Sequence, residues 1–230
     1  MYDLPETIFA DPVWHALQTK HRAFAQSAGS ACRYPADVAP FAAVATPSRD
    51  AMRELHSLLR PGEKVWLFGA DYPLIPELAF VGTLDCLQMV LTEEITVAED
   101  ADMNGLPLSC AQAAEMVALT DLVFPGFFRA RTCEMGTYYG IRAEEGLIAM
   151  AGERLIVEDH HEISGVCTHP EYRGKGLAAN LIRQLMRNHR RDGKVSWLHV
   201  GRANHRAIDL YLRLGFRIVR GVRLSQITSN

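Results

Sequence analysis

The sequence lacks long hydrophobic runs, paired cysteines and internal repeats. No stretch of about 18 apolar residues occurs, so a membrane-spanning helix is not expected. The first residues, Met1–Glu6, have neither the basic start nor the apolar core of a secretion signal, and we expect a soluble cytoplasmic protein. The 5 cysteines are odd in number and scattered, which predicts buried reduced thiols and neither a disulfide framework nor a paired-cysteine zinc site.

The composition is that of a globular protein. Hydrophobic residues make up 48% and charged residues 22% of the 230 residues, which excludes wholesale disorder and fibrous repeats. The length suffices for one large domain or two small ones.

The net charge of −3 conceals an uneven distribution. Residues 161–220 hold 12 of the 24 Lys and Arg but only 4 of the 27 Asp and Glu, so a basic segment lies in an otherwise acidic chain that includes the acidic run 93–102. Two explanations stay open: solvated helix faces, or a polyanionic partner such as a phosphorylated small molecule or nucleic acid.

Hydrophobic periodicity, caps and turn residues predict an order of helices and strands. Helices are predicted at 11–27, 48–59, 109–122, 177–191 and 204–214. Strands are predicted at 41–45, 64–68, 87–91, 138–142, 147–157, 162–168 and 195–200, with one or two more in 216–227. Residues 69–84 read as an irregular connection. Antiparallel strands followed by alternating strands and helices predict a mixed α/β sheet, and the change of character near residue 87 predicts a boundary there.

The most informative segment is a glycine loop between a strand and a helix. The strand ends near Thr168, and Arg173-Gly174-Lys175-Gly176 opens the helix. Glycines let the backbone approach a ligand closely, and the free N–H groups and dipole of a helix start favour an anion. A plain tight turn would explain the glycines but not the flanking cations. The segment therefore predicts a phosphate or pyrophosphate site. The spacing does not fit a Walker loop, and a Rossmann pattern fits only weakly.

Two motifs in this region resemble the signatures of the GNAT superfamily of acyl-CoA-dependent N-acyltransferases. The pyrophosphate signature Arg/Gln-x-x-Gly-x-Gly/Ala is matched by Arg173, Gly176 and Ala178. The second signature is matched by Asn204-x-x-Ala207-x-x-x-Tyr211-x-x-x-Gly215-Phe216. The resemblance covers residues 163–217. It implies a GNAT fold for residues 88–230, with a central mixed, mostly antiparallel sheet flanked by helices, preceded by an N-terminal α/β region at 1–87.

The resemblance also implies a cofactor site for acetyl-CoA. The pantetheine arm would pair with the strand backbone, and the pyrophosphate would bind the loop. Asn204 and Ala207 match positions near the cofactor, although Asn204 can equally be a simple helix N-cap. The implied cofactor-binding residues before them are Val166, Cys167, Thr168, Arg173, Gly174, Lys175, Gly176, Leu177 and Ala178.

By the same resemblance, Tyr211 matches the general acid that protonates the departing thiolate, and it also contacts the cofactor. Its alternative role is core packing. Glu162 is the candidate base for the amine, through a water, with His160 as the alternative; both can also be ordinary polar residues at a strand end. The family's direct transfer makes Cys167 a buried thiol rather than an acyl carrier. Histidines 189, 199 and 205 have no ligand spacing, so no metal is predicted.

The resulting functional prediction is transfer of an acetyl or other small acyl group from acyl-CoA to a primary amine on a small molecule or peptide. The alternative is a CoA-binding sensor or structural module without turnover. Nucleic-acid binding is not favoured, because the charges gather around the phosphate loop. The first 87 residues are too apolar for a free tail. We expect them to fold as an α/β unit, of which a degenerate half of the same fold is one form, and either to wall the acceptor pocket or only to stabilise.

Overall fold

The computed structural model describes residues 9–69, 71–92 and 105–230. The N-terminal hexapeptide and the acidic run 93–102 lie outside these ranges. Within them, none of the helices combines the length and the apolar character needed to cross a bilayer.

Five α-helices are described: α1 (Pro12–Gln18), α2 (Arg49–Ser57), α3 (Ala113–Asp121), α4 (Leu177–Arg191) and α5 (His205–Arg213). The cap residues expected from the sequence are present, since Asp11 accepts the Trp14 N–H at 2.9 Å and Ser48 Oγ accepts the Ala51 N–H at 3.1 Å. The predicted helix 11–27 is too long. It ends at Gln18 because the His21 N–H turns back to the Ala16 carbonyl at 2.8 Å.

The strands form a small sheet and a large one. The small sheet contains β1 (Gln26–Ala28), β2 (Ala31–Arg33) and β3 (Ala42–Val44). The large sheet has the order β4-β11-β5-β10-β9-β8-β7-β6, and β9 and β10 are its one parallel pair in the part of the chain described. These strands are β4 (Lys64–Phe68), β5 (Leu78–Leu91), β6 (Leu106–Leu108), β7 (Tyr138–Ala143), β8 (Gly146–Val157), β9 (His160–Thr168), β10 (Val195–Gly201) and β11 (Phe216–Ser229). The predicted mixed, mostly antiparallel sheet with flanking helices is confirmed.

Strand β5 departs most from the sequence prediction. The connection predicted through residue 84 is wrong from Leu78 onward, where a strand of 14 residues begins just after Pro73 and Pro76. This strand lies between β10 and β11 and pairs with both. The boundary predicted at residue 87 therefore falls inside a strand of the large sheet, and separate folding of residues 1–87 stays a prediction.

Each face of the large sheet is covered by a different part of the chain. On one face α4 and α5 bury an apolar core that includes Leu181, Leu185 and Tyr211. On the other face the N-terminal residues Phe9 and Val13, with their neighbours, pack against side chains of β8 and β10. Burial of one such large apolar side chain is worth about 1.5–3 kcal/mol, so the N-terminal segment is held firmly on this face.

The cysteine prediction needs one correction. The structure joins Cys110 to Cys133 in a disulfide, with Cα atoms 5.5 Å apart, whereas Cys32, Cys86 and Cys167 are free and buried. The pairing was missed because the two cysteines are 23 residues apart and meet only through the packing of the segments before β7. Since disulfides are rare in the cytosol, the cytoplasmic location stays a prediction.

Candidate active site

The two parallel strands β9 and β10 separate shortly after they meet. They pair over three positions, with His160–Glu162 opposite Val195–Trp197. Beyond these positions β9 stays bonded to β8 as far as Thr168, and β10 stays bonded to β5 as far as Gly201. In the described residues no further ladder joins the two strands, so their facing backbone groups border a wedge that suits an extended, hydrogen-bonding ligand. The predicted positions Val166, Cys167 and Thr168 lie on the diverging part of β9.

A bulge in β9 sets which side chains face each side of this wedge. The pairing with β8 shifts register between Ser164 and Cys167, and Gly165 between them has a left-handed φ of +63°. Ile163 packs with the α4 and α5 core, whereas Cys167 packs in the cluster on the α3 side. A Cβ on Gly165 would lie 3.2 Å from Tyr138 Cε1, so this position favours glycine for both conformation and space.

The glycine loop is open and leads directly into the uncapped start of α4. Gly174 and Gly176 have φ values of +83° and +77°, and a Cβ on either would meet nothing within 4 Å. Helix α4 starts directly after Gly176, and no side chain caps it. Its first amides, including those of Leu177 and Ala178, therefore sit at the positive end of the helix dipole.

The cations of this loop are exposed and close to the end of β9. Arg173 Nε donates to the Thr168 carbonyl at 3.4 Å, and the Lys175 Nζ lies 4.7 Å from the centre of the Tyr172 ring. Backbone amides, two cations and open space are thus found together. This combination fits the diphosphate of a nucleotide-like cofactor.

Helix α5 carries the second predicted group. Asn204 Oδ1 accepts the Ala207 N–H at 3.2 Å, so its capping role is confirmed and its contact with a cofactor stays a prediction. Tyr211 is 7% exposed, and its ring packs edge-on to Phe216. Burial raises the pKa of Tyr211, and the charge of Glu162 acts in the same direction, which keeps the hydroxyl protonated at neutral pH.

Glu162 is fully buried at the last pair that joins β9 and β10, which is the apex of the wedge. Both oxygens of its carboxylate accept hydrogen bonds. Arg154 donates to both oxygens, at 3.0 and 2.8 Å. The Leu155 N–H donates to Oε2 at 3.2 Å, and His199 Nδ1 lies 2.8 Å from Oε1. Burial would raise the pKa of Glu162, but Arg154 and the hydrogen bond from His199 outweigh it and lower the pKa to about 2. Such a carboxylate does not take up a proton near neutral pH, which argues against the predicted role as base.

The proton on His199 is fixed by its neighbours. Arg220 Nε donates to Gln88 Oε1 at 2.6 Å, and Gln88 Nε2 donates to the Phe9 carbonyl at 2.8 Å. The amide is therefore oriented with its second N–H toward His199 Nε2, 3.0 Å away, so this nitrogen accepts. Burial lowers the pKa of His199 and keeps the ring neutral, so Nδ1 carries the proton and donates to Glu162.

His160, the alternative base, lies on the same strand face two residues earlier. Its side chain is 6% exposed, its Nδ1 faces Asp159 Oδ1 at 2.7 Å, and its ring contacts Phe9 edge-on. Burial lowers the pKa of His160 more than Asp159 raises it. The ring is thus neutral but covered by the N-terminal segment.

The sequence pattern did not predict the chain of contacts from Arg154 through Glu162 and His199 to Gln88. One signal was available for the first pair. Arg154 and Glu162 carry opposite charges on the two arms of a tight hairpin, where cross-strand pairs attract. The contacts of His199 and Gln88 join separate strands and leave no local signal.

The comparison with known proteins agrees with this geometry. Residues 107–216 match the sequence model of the acetyltransferase (GNAT) family. A solved protein from Novosphingobium aromaticivorans, described as belonging to the GNAT family of acetyltransferases, is 33% identical, with a TM-score of 0.87 over 96% of this chain and 98% of that one. A GCN5-related N-acetyltransferase from Kribbella flavida is 15% identical, with a TM-score of 0.57 over 100% and 96% of the two chains, which shows the fold alone.

One curated relative is similar over a shorter region. The mycothiol acetyltransferase of Pseudarthrobacter chlorophenolicus is 34% identical over 83 residues. The match covers 35% of this chain and 25% of that protein, so this chain spans about a quarter of the relative.

Proposed function

The chain belongs to the GNAT family of acetyltransferases, and from this premise we propose that it transfers an acetyl group from acetyl-CoA to a primary amine. The observation that carries the proposal is the wedge between β9 and β10, which opens toward the exposed glycine loop at the start of α4. The backbone groups of the wedge suit an amide-containing arm, and the amides and cations of the loop suit a diphosphate. One molecule could hold both parts.

The residues present fit coenzyme A. Cβ atoms would meet nothing at Gly174 or Gly176, so the loop leaves room for a bulky anion. The backbone N–H groups of residues 174–178, with Arg173 and Lys175, would hold the diphosphate, and the backbone of residues 166–168 would pair with the pantetheine arm. Acetyl-CoA supplies the acetyl group as an activated thioester. Asn204 is proposed to lie beside the cofactor while it caps α5.

Tyr211 is proposed as the group that donates a proton to the departing thiolate. Its raised pKa keeps the hydroxyl protonated, and its position in the α5 core restricts the ring to few orientations. A backbone N–H of the diverging part of β9 is proposed to donate to the oxyanion that develops during transfer.

Glu162 is proposed to hold the apex of the wedge rather than to accept the proton of the amine. Its bond to His199 joins β9 to β10 at the point where the strands part. Arg154 fixes the same carboxylate from β8. This arrangement sets the separation of the two strands before any ligand binds, which lowers the entropy lost on binding.

The acceptor is proposed to bind beside the N-terminal residues that cover one face of the sheet. Phe9 contacts both Trp197 and His160, and Phe41 stacks on the Arg154 guanidinium at 4.8 Å. The N-terminal segment therefore reaches the apex of the wedge directly. Its predicted role as a wall of the acceptor pocket is supported by these contacts.

The test combines a binding measurement with a turnover assay. Purified protein is titrated with acetyl-CoA by calorimetry, and thiol release is followed with a panel of small-molecule and peptide amines. Gly176→Asp is expected to weaken acetyl-CoA binding by about tenfold or more, or about 1.4 kcal/mol, because a carboxylate would face the diphosphate. Gly62→Asp is the matched control, since Gly62 also has a positive φ of 75° and open space but lies outside the wedge.

The outcomes separate three readings. Binding that is lost only in Gly176→Asp, together with amine-dependent thiol release, supports the proposal. Binding without release for any amine would instead favour a CoA sensor. Absence of binding, or equal loss in both variants, would contradict the cofactor site itself.

A further inference from the structure

A buried cluster near the C-terminal end of α4, the helix that begins at the glycine loop, has ligands for a metal ion. Glu153 on β8, His161 on β9 and His189 near the end of α4 each direct one donor atom to a common point, and these atoms lie within 4.8 Å of one another. All three residues are buried. We propose that Glu153, His161 and His189 form a binding site for a zinc ion.

The two imidazole nitrogens both contact the same carboxylate oxygen, Glu153 Oε1. His161 Nδ1 lies 2.7 Å and His189 Nε2 lies 2.8 Å from Glu153 Oε1. Two imidazole nitrogens and one carboxylate oxygen are the protein ligand set of several zinc sites that keep a fourth position for water. Ligand atoms of tetrahedral zinc are about 3.3 Å apart at Zn–N distances of about 2.0–2.1 Å, so small side-chain rotations would admit the ion.

The outer contacts of these ligands also suit a metal. His189 Nδ1 lies 2.8 Å from Ser196 Oγ, and Glu153 Oε2 accepts the Thr137 N–H at 2.8 Å. Metal-bound imidazoles and carboxylates are commonly oriented by such second contacts. Here the second contacts hold His189 Nδ1 and Glu153 Oε2, and they leave His189 Nε2 and Glu153 Oε1 to face the ion.

Binding of the ion requires that the nitrogen of each imidazole that faces it carries no proton. Without the ion, each ring carries its proton on the nitrogen that donates to Glu153. With the ion, each ring carries its proton on the other nitrogen, and His189 then donates to Ser196 Oγ.

A cavity beside the cluster provides space for the fourth ligand. It has a volume of about 90 Å³ and is bordered by Glu153 and His189. Room for a water next to two of the ligands agrees with a three-ligand site. An ion there would tie the C-terminal part of α4 to β8 and β9, and α4 carries the glycine loop at its other end.

The experiment uses the full chain, stripped with a chelator and titrated with zinc chloride. Calorimetry and elemental analysis of the desalted protein give affinity and stoichiometry, and cobalt substitution gives an absorption spectrum that reports the coordination geometry. The wild type is expected to bind a single zinc ion per chain. His161→Ala is expected to lose this binding, whereas His56→Ala, on α2 and outside the cluster, is the control that keeps it.

Ser196→Ala provides a variant in which every ligand is retained. It is expected to weaken zinc binding by about 10–100-fold, as losses of outer contacts commonly do, and circular dichroism checks that it folds. The absence of saturable zinc binding by the wild type, or equal binding by His161→Ala and His56→Ala, would overturn the proposal. The cluster would then be a metal-free hydrogen-bonded triad.

Discussion

The buried ion pair at the apex of the wedge permits a quantitative prediction. The Arg154 and Glu162 side chains are 13% and 1% exposed, so solvent screens their interaction weakly. Glu162→Gln keeps the shape of the side chain but leaves the Arg154 guanidinium buried without its counter-charge. Removal of one partner of a buried pair costs about 3–5 kcal/mol. We therefore expect the free energy of unfolding at pH 7 to fall by this amount.

The lowered pKa of Glu162 gives an independent value for the contribution of this ion pair to stability. A carboxyl pKa that drops from 4.5 in the unfolded chain to about 2 in the folded protein corresponds to about 3 kcal/mol of stability. Because the folded pKa is the lower one, this contribution is complete above about pH 4.5 and is lost as the pH falls toward 2. The difference between wild type and Glu162→Gln should therefore shrink between pH 5 and pH 3.

Urea unfolding, followed by tryptophan fluorescence and circular dichroism at pH 7, 5 and 3, measures both effects. Arg154→Met with Glu162→Gln completes a double-mutant cycle. The free energy of unfolding lost in the double variant is expected to be smaller than the sum of the two single losses by about 2 kcal/mol. A loss below about 1 kcal/mol for Glu162→Gln at pH 7, or the same difference at pH 3 as at pH 7, would refute the argument that solvent screens this pair only weakly.

Three further outcomes are expected. Tyr211→Phe should lower kcat by about 10²–10⁴-fold with little change in acetyl-CoA affinity or stability; unchanged kcat in steady-state assays would leave Tyr211 with packing alone. Gly165→Ala should lower the free energy of unfolding by more than the cost of a left-handed backbone, which is about 1–2 kcal/mol. The added Cβ would also crowd Tyr138. Gly193→Ala, at φ +68° with open space, should cost only the backbone term, and equal losses in urea unfolding would exclude the crowding. A chain that begins at residue 86 should aggregate or bind a hydrophobic dye, because it lacks β4, the first half of β5 and the cover of one sheet face. A soluble form with unchanged acceptor KM would contradict any role of the N-terminal residues in recognition.

Local patterns predicted the elements whose signals are local. The hairpin of β7 and β8 has its turn at Glu144-Glu145, and α4, β10 and α5 lie within one or two residues of their predicted bounds. Ser109 caps its helical segment with the reciprocal bonds of a capping box. Periodicity, caps and glycine breaks determine such features within a few residues of chain.

The features that were missed depend on distant parts of the chain. The first half of β5 was predicted as irregular because Pro73 and Pro76 suggest a loop, and the predicted loop was extended to residue 84. Its place in the sheet is set by pairing with β11, more than 120 residues later. The cluster of Glu153, His161 and His189 likewise has no ligand spacing along the sequence and forms only when α4 packs on the sheet.

The position of Gln88 links the N-terminal segment to the chemistry of the wedge. This fully buried residue of β5 bonds the Phe9 carbonyl, His199 and Arg220 at once. Because His199 in turn holds Glu162, a continuous chain of hydrogen bonds joins the Phe9 carbonyl to the Glu162 carboxylate. An acceptor bound against the N-terminal residues would therefore act on the same hydrogen-bonded chain that sets the separation of β9 and β10. With the acceptor in this proposed position, its binding would be coupled to that of the cofactor through the Gln88 side chain.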